Sequence, residues 1–328
     1  MMATCDSIQN HKPTRSGTSD VTHCADLALS ITPPRTPTAA ASAAHKLYSQ
    51  IRHIHTSLAT LPSLAPGEQI NELLTRLVNL CIVPYGVDFT ADFLAIPGVA
   101  ALCDTLRPLC SAAEGELENY WALQILRDAR TQANQQCEPS ALLRSFPYHQ
   151  NYLDLSRLEC CTLDAFLPHA PRNVAFIGSG PLPLTSLCML DRYPQVAVHN
   201  IDRDSSALQV SQELCQQLGH GARMSFVCED ITRPSTNGTD WLSFEVVFLA
   251  ALVGTDTESK MSILTSLAGK LRPGSLVVAR SAWGLRTVLY PSLELSANIE
   301  DTGLEVLVEV HPWTKVVNSI VVFRVKER

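Results

Sequence analysis

Two glutamates four residues apart are the first residues in this sequence whose spacing could do chemistry. Glu114 and Glu118 lie in residues 111–121, a stretch with helical periodicity, so both carboxylates share one helix face. Two acids on one face attract a cation. The alternative is a solvated acidic surface, because exposed glutamate pairs are ordinary in helices.

A second candidate cluster follows at residues 145–152. The run Ser-Phe-Pro-Tyr-His-Gln-Asn-Tyr gathers aromatic rings, an imidazole and amides just before the predicted nucleotide-binding region. Substrate clefts commonly form at such junctions. The alternative is a linker that only packs two domains together.

A nucleotide site is indicated by residues 173–187, Asn-Val-Ala-Phe-Ile-Gly-Ser-Gly-Pro-Leu-Pro-Leu-Thr-Ser-Leu. A buried strand stops at Gly178 and Gly180, which can take backbone angles closed to other residues, and the next helix offers free N–H groups. Prolines follow, so the third glycine of the dinucleotide motif is missing and a pyrophosphate is poorly supported. The loop predicts an adenosine-type ligand, with a structural turn as the alternative.

Acids at the ends of the next two strands support that prediction. Residues 197–202 form a strand that ends in Asp202, about 20 residues after the glycines, the usual distance for a ribose ligand. Residues 227–230 end a third strand in acids, the last of them Asp230. A fourth strand, at 244–253, is apolar enough to be buried on both faces of a parallel sheet.

These residues must be positioned by alternating strands and helices. A helix is predicted at 261–270 and a fifth strand at 275–280. The β-branched runs 304–310 and 317–325 have no helix-length spacer between them, so we expect an antiparallel pair. The order is typical of adenosylmethionine-dependent transferases, an α/β class with a Rossmann-like class I methyltransferase domain.

The N-terminal half predicts a different architecture. Residues 1–40 are rich in Ser, Thr, Pro and Ala, so we expect a disordered tail. Helical stripes then follow, one of them Leu47, Ile51, Ile54 and Leu58. We therefore expect an N-terminal α-helical bundle, the substrate or lid domain, at residues 41–160 and the Rossmann-like domain at 161–328.

Composition excludes several kinds of partner. A formal net charge of -7 without a Lys/Arg cluster argues against nucleic acid. The longest apolar run, residues 246–253, is too short to span a bilayer, and the N-terminus resembles no signal peptide. We expect a cytoplasmic protein without a membrane partner. The 11 cysteines are scattered and include no CxxC pair, which favours reduced thiols over a metal site.

Five segments together resemble nicotianamine synthase. They are Glu-Gly-x-Leu-Glu at 114–118, Phe-Pro-Tyr-x-x-Asn-Tyr at 146–152, Phe-Ile-Gly-Ser-Gly-Pro-Leu-Pro-Leu-Thr at 176–185, Phe-Leu-Ala-Ala-Leu-Val-Gly at 248–254 and Arg-Ser-Ala at 280–282. The resemblance runs from about residue 60 to the end. The glycine loop together with the Leu-Ala-Ala-Leu-Val-Gly strand is far narrower than a generic methyltransferase pattern.

The resemblance implies an enzyme that condenses three S-adenosylmethionine molecules into nicotianamine, a metal chelator. It would make successive aminocarboxypropyl transfers, close an azetidine ring and release three methylthioadenosines. Adenosylmethionine would be the substrate, and no metal would be required because the metal belongs to the product. A single-transfer aminocarboxypropyltransferase that makes a related metallophore, a small-molecule methyltransferase and an inactive sensor stay open. The oligomeric state does not follow from the sequence.

The resemblance also implies roles for residues. Glu114 and Glu118 would hold the ammonium of the transferred group, while Tyr148 and Tyr152 would orient the attacking amine. The expected adenosylmethionine ligands are Gly178, Ser179, Gly180, Pro181, Asp202, Asp230, Ala250 and Leu252, with Asp230 on the adenine amino group and Ala250 and Leu252 beside the sulfonium. The expected substrate ligands are Arg280, Tyr290, His311 and Asn318.

Two of these ligands have structural alternatives, and two positions depart from the family pattern. Arg280 is expected to bind a substrate carboxylate, with an interdomain salt bridge as the alternative. His311 precedes a proline and is also explained as a satisfied structural group. Trp283 stands where plant-type members have histidine, and Glu116 replaces an apolar residue. Because Trp cannot exchange protons, the number of transfer cycles does not follow from the resemblance.

Overall fold

The computed structural model describes residues 39–131, 139–233, 238–254, 256–295 and 297–327. The tail predicted for residues 1–40 lies outside these ranges, except for its last two residues, which begin the first helix. The residues in these ranges belong to one compact unit. The predicted boundary at residue 160 falls inside a helix, His149–Asp164, and the division into two domains stays a prediction.

The N-terminal part of the described chain is helical, as predicted. Its helices are α1 (Ala39–Ala59), α2 (Glu68–Cys81), α3 (Val87–Leu94), α4 (Val99–Thr131), α5 (Pro139–Leu143) and α6 (His149–Asp164). The predicted stripe on α1 is buried in a cluster that also contains Leu285, Val288 and Leu289. Arg107 of α4 donates from Nε and Nη2 to the Thr287 carbonyl, at 3.0 and 2.6 Å. Residues 284–289 therefore complete the core of the N-terminal helices.

The C-terminal half forms a seven-stranded sheet in the order β3-β2-β1-β4-β5-β7-β6. The strands are β1 (Asn173–Ile177), β2 (Ala197–Asp202), β3 (Met224–Cys228), β4 (Val246–Leu249), β5 (Leu276–Ser281), β6 (Leu304–Val310) and β7 (Ser319–Val325). The first five are parallel, and β7 runs antiparallel between β5 and β6. This confirms the predicted α/β fold with its antiparallel C-terminal pair.

Helices cover both faces of the sheet, as its doubly apolar strands require. The connecting helices are α7 (Leu184–Arg192), α8 (Ser205–Gln217) and α9 (Thr257–Lys270). One face, with Phe176, Phe248 and Val278, shares a cluster with residues of α4 and α6. The other face, with Val247, shares a cluster with residues of α9. Because α4 and α6 pack on the sheet, they bring their polar residues to its carboxyl edge.

The fourth strand is shorter than predicted. It ends at Leu249, the last residue paired with β5, whereas the sequence predicts a strand over 244–253. The Ala250 N–H still donates to the Ile177 carbonyl of β1 at 3.0 Å, after which the chain leaves the sheet, and Gly254 follows with a positive φ of 77°. We call residues 250–254 the β4 turn.

Among the described residues, no single helix is long and apolar enough to cross a membrane. Helices α3 and α4 meet the length and composition required only when taken together, and they bend by 91° where they meet.

Candidate active site

The predicted glutamate pair lies inside the protein at the carboxyl edge of the sheet. Tyr290, after β5, donates its hydroxyl to Glu114 Oε2 at 2.8 Å. Tyr152, on α6, donates its hydroxyl to Glu118 Oε1. All four side chains are partly buried. The pair is therefore not a solvated acidic surface but the centre of a cluster drawn from three separate parts of the chain, which we call the acid cluster.

Burial dominates the electrostatics of the acid cluster. It raises the pKa of Glu114 and of Glu118, and for Glu118 the charge of Glu114 adds to the effect. Hydrogen bonds from the tyrosines and the charge of Arg280 act in the opposite direction. Burial and the adjacent carboxylates hold the pKa of Tyr152 and of Tyr290 well above the ordinary range, so both hydroxyls stay protonated donors. An ammonium placed here would favour the ionised carboxylates.

The glycine loop, residues 178–181, lies directly beneath this cluster. A Cβ atom at Gly180 (φ 63°) would come within 2.8 Å of Glu118 Oε2, so a larger residue would push the carboxylate away. At Gly178 (φ 80°) a Cβ would come within 2.5 Å of Val253 Cγ2 and 3.0 Å of Ala250 Cβ. The loop is thus enclosed between α4 and the β4 turn, where only glycine fits.

Asp202 is joined to the glycine loop, as a ribose ligand would have to be. It ends β2, and its Oδ2 accepts the Gly180 N–H at 2.9 Å while its Oδ1 accepts the Asp204 N–H at 3.0 Å. Ser179 is buried beside it, and its hydroxyl has no hydrogen-bond partner. Pro181 is buried, and Ala250 and Leu252 are partly exposed in the β4 turn.

Two acids follow β3, as the sequence indicates. Asp230 accepts from the Thr232 N–H at 3.1 Å and from its hydroxyl at 2.6 Å, and these bonds lower the pKa of Asp230. Glu229, which was not assigned from the sequence, is buried. Its Oε2 accepts the Thr239 hydroxyl at 3.1 Å, but its Oε1 has no partner. The adjacency of Glu229 to Asp230 was the signal in the sequence that could have identified Glu229.

Arg280 is held by a salt bridge, which is the alternative considered for it. Its Nε and Nη2 contact Glu159 of α6 at 2.8 and 3.1 Å, and Nη2 also donates to Thr185 Oγ1 at 2.7 Å. The guanidinium lies over the Phe176 ring, 5.3 Å from its centroid. Glu159 therefore occupies the bidentate face that was expected to bind a substrate carboxylate. Because Nε and Nη2 are engaged, only Nη1 of Arg280 remains available for the predicted contact with a substrate carboxylate.

The two predicted tyrosines differ in position. Tyr148 precedes the first residue of α6 and packs on Phe146, with 5.9 Å between ring centroids. Tyr152 lies one helical turn further and also packs on Phe146, with 5.9 Å between ring centroids, while its hydroxyl donates to Glu118. Of the pair, the structure places Tyr152 in the acid cluster.

His311 and Asn318 are the first and last residues of the connection between β6 and β7. The His311 ring stacks on Trp283 at 5.1 Å between centroids, and its Nδ1 is 3.0 Å from Ser319 Oγ. Trp283 therefore packs against the imidazole of His311. Asn318 is buried with an unpartnered Nδ2. It immediately precedes β7, in which Ile320 pairs with Arg280.

Within the described ranges, no group of three or more His, Cys, Asp or Glu side chains is arranged to hold a metal ion.

The sheet order, the glycine loop and the acid after β2 define a transferase of the class I methyltransferase fold. Residues 40–328 match the family model described as nicotianamine synthase protein. The chain belongs to the nicotianamine synthase family, and the resemblance stated from the sequence is confirmed.

Curated plant relatives cover most of the chain. It is 36% identical over 282 residues to nicotianamine synthase 2 of Oryza sativa subsp. japonica, covering 85% of this chain and 82% of the relative. It is also 36% identical over 277 residues to nicotianamine synthase 2 of Arabidopsis thaliana, covering 84% and 82%.

Solved structures of MtNAS share the fold. The complex of MtNAS with MTA and tNA has a TM-score of 0.70 at 21% identity and covers 85% of this chain and 98% of that one. A point variant of MtNAS in complex with S-adenosylmethionine has a TM-score of 0.68 at 22% identity, with coverage of 85% and 98%.

Proposed function

We propose that this chain is a nicotianamine synthase that condenses three S-adenosylmethionine molecules and releases three methylthioadenosines. The plant relatives carry that name, and structures of MtNAS hold S-adenosylmethionine or MTA. The observation that carries the proposal is the contact between Glu118 and Gly180, because it places a carboxylate directly on the loop that binds the substrate. Adenosylmethionine is the substrate, and the metal belongs to the product.

The binding of adenosylmethionine follows from the carboxyl edge of the sheet. The glycine loop, residues 178–181, takes the methionine part and the ribose, and Asp202 takes the ribose hydroxyls. Asp230, ionised and accepting, takes the adenine amino group. Ala250 and Leu252 of the β4 turn flank the sulfonium.

The position of the nucleophile selects the reaction. The sulfonium has three electrophilic carbons, and a nucleophile held in line with one of them favours that carbon by several kcal/mol. An amine held by the acid cluster lies over the loop that binds the methionine part, which favours attack on the aminocarboxypropyl Cγ. The N–Cγ bond forms, the S–Cγ bond breaks, and the sulfur leaves in methylthioadenosine with the electron pair. Azetidine closure is the same displacement made by an α-amine on its own Cγ.

The attacking amine must lose a proton, because an ammonium has no lone pair. Glu118 is the acceptor that lies nearest the loop, and Tyr152 holds its carboxylate through one oxygen. Glu114, held by Tyr290, balances the charge of a bound ammonium. The unpartnered amide of Asn318 and the Nη1 nitrogen of Arg280 are donors available for a substrate carboxylate.

Two other reactions use the same fold. A single-transfer aminocarboxypropyltransferase would make a related metallophore from one displacement, and a small-molecule methyltransferase would leave S-adenosylhomocysteine. The paired carboxylates favour an amine substrate, which both the nicotianamine synthase and the single-transfer enzyme require. A cytoplasmic location and the lack of nucleic-acid and membrane partners stay predictions.

The test is to incubate the purified protein with S-adenosylmethionine alone and to follow the products by mass spectrometry. We expect methylthioadenosine and nicotianamine in a ratio of three to one. Equal amounts of methylthioadenosine and a singly transferred product would support the single-transfer enzyme instead. S-adenosylhomocysteine formed only after an acceptor is added would replace the proposal with a methyltransferase.

A further inference from the structure

A lysine outside the acid cluster is buried next to the predicted sulfonium site. Lys260 lies in the first turns of α9 and is fully buried. Its ammonium donates to three backbone carbonyls of the β4 turn: Ala251 at 2.8 Å, Val253 at 2.9 Å and Ala250 at 3.4 Å. These three contacts use all three donors of a lysine. No step of the proposed reaction uses this amine.

The position of Lys260 is unfavourable on its own. Burying an ammonium costs free energy unless it is fully hydrogen-bonded, and burial lowers the pKa of Lys260 to about 7. The amino end of a helix also carries a positive partial charge, which disfavours a cation there. A buried apolar residue would avoid both penalties. The carbonyls of the β4 turn are therefore the reason for a lysine at this position.

The β4 turn needs such donors because it has left the sheet. Pairing between β4 and β5 stops at Leu249 and Ala279, so the carbonyls beyond Leu249 lose their strand partners. The Ala250 carbonyl accepts the Val253 N–H at 3.2 Å within the turn, whereas the Ala251 and Val253 carbonyls accept from Lys260. Side chains at the start of a helix point back towards its amino end. The Lys260 chain accordingly runs from α9 towards the turn and supplies the missing donors.

The turn that Lys260 holds is one wall of the glycine loop. A Cβ at Gly178 would meet Val253 at 2.5 Å and Ala250 at 3.0 Å, so these two residues are in close contact with the loop. Gly254 closes the turn over the lysine, because a Cβ there would lie 2.7 Å from Lys260 Cγ. Lys260 therefore packs against the β4 turn, and the β4 turn packs against the glycine loop.

We propose that Lys260 is a positioning residue for adenosylmethionine, because its three donors hold the β4 turn against the glycine loop. This inference rests on the proposed function for the identity of the ligand. It assigns Lys260 no contact with the substrate. Loss of the donors frees the turn, and the sulfonium site loses one wall.

The first experiment measures the dissociation constant of S-adenosylmethionine by calorimetry for Lys260→Met and for Lys270→Met. Lys270 ends the same helix and lies over the Trp241 ring at 5.1 Å, so it is a matched control. We expect Lys260→Met to weaken binding about tenfold or more, which corresponds to about 1.4 kcal/mol. Lys270→Met should bind like the original protein. Equal affinity in folded Lys260→Met overturns the inference.

A second measurement does not depend on the ligand. Hydrogen exchange of the amides in residues 250–254 of the ligand-free protein should be faster in Lys260→Met, with exchange in the other strands unchanged. A uniform loss of protection would show a merely structural role and overturn the inference. If Lys260→Met does not fold, Lys260→Gln, whose two donors on a shorter chain cannot serve all three carbonyls, is compared in the same two ways. Original exchange and affinity in that variant overturn the inference as well.

The two proposals fail differently. If the unaltered protein does not bind S-adenosylmethionine, the proposed function falls, whereas the exchange of residues 250–254 still decides whether Lys260 holds the turn. If the unaltered protein makes nicotianamine and Lys260→Met behaves like it in both measurements, only the role of Lys260 falls.

Discussion

The carboxylate of Glu118 rests on the backbone of Gly180, where an added Cβ would lie 2.8 Å from Oε2. Helix α4 and the glycine loop thus touch at the residue that is proposed to accept the proton. The loop that binds the substrate therefore also determines the position of the Glu118 carboxylate above it. Any change of volume at residue 180 is therefore a change in the position of Glu118.

Gly180→Ala should abolish methylthioadenosine release. The left-handed φ of 63° makes a side chain cost about 1–2 kcal/mol, and the new methyl group also displaces the Glu118 carboxylate. Gly219→Ala is the matched control, since Gly219 has a φ of 80° but nothing within 4 Å of its Cβ position. Both variants should lose similar stability in thermal unfolding, and only Gly180→Ala should lose activity. Loss of activity in both would contradict this account.

Glu118→Gln should slow transfer and leave adenosylmethionine binding intact. An amide cannot accept the proton, and such groups contribute about 100- to 10,000-fold to a rate. The rate of methylthioadenosine release and the dissociation constant of S-adenosylmethionine test this directly. Glu116→Gln, an exposed glutamate on the same helix, serves as the control and should be fully active. A fully active Glu118→Gln would rule out the role given to Glu118.

Tyr290→Phe and Tyr152→Phe should each reduce activity. Each removes the hydroxyl that holds one carboxylate, and a hydrogen bond to a charged group contributes about 1.5–3 kcal/mol, or about 10- to 100-fold in rate. Steady-state rates of methylthioadenosine release give the measurement. Tyr120→Phe changes an exposed tyrosine of α4 and should have no effect. Normal rates in both site variants would remove the tyrosines from the mechanism.

The contribution of Glu118 to the stability of the protein should fall as pH rises through the acidic and neutral range. Burial raises the pKa of Glu118 above its ordinary value of 4.5, so the folded protein keeps a proton that the unfolded chain releases. Its contribution is complete below about pH 4.5 and is lost as the pH rises towards the folded pKa, at about 1.4 kcal/mol per unit. Glu118→Gln does not ionise, so it should be more stable than the original protein at pH 8.

Urea unfolding at pH 5 and pH 8 tests this difference. The gap in unfolding free energy between Glu118→Gln and the original protein should be larger at pH 8. A gap that does not change with pH would show that Glu118 ionises normally in the folded protein.

Glu159→Gln should destabilise the fold strongly. It leaves the Arg280 charge buried without its partner, which typically costs about 3–5 kcal/mol. Asp154→Asn, on the same helix, breaks the exposed pair with Arg157 and should cost at most about 1 kcal/mol. Chemical denaturation of both variants gives the comparison. Similar small losses would mean that the buried pair contributes no more than the surface pair.

The parts of the site that follow from the sequence are those that a local pattern determines. A glycine loop after an apolar strand and an acid at the end of the next parallel strand must meet at one sheet edge, so Gly180 and Asp202 were predictable. Helical spacing likewise placed Glu114 and Glu118 on one face. The fold class follows from the same alternation of strands and helices.

The parts that the sequence did not reveal depend on distant pairs. The partners of Arg280, Glu159 and Thr185, belong to α6 and α7, which are far from β5 in the chain, and no local periodicity couples them to that strand. The choice between Tyr148 and Tyr152 depends on where α6 begins, and helix ends are the least certain feature of a prediction from sequence. The three carbonyl contacts of Lys260 depend on where β4 ends.

The residues that complete the core of α1–α4 come from positions 284–289, after most of the sheet in the chain. During synthesis the four helices leave the ribosome before Leu285 and Leu289 do, and until then part of their shared apolar core lacks the residues that complete it. Folding intermediates that expose such surfaces are prone to aggregation. The helices that carry the glutamates therefore complete their packing only together with the sheet that carries the glycine loop. Neither half of the chain is active before the other has folded.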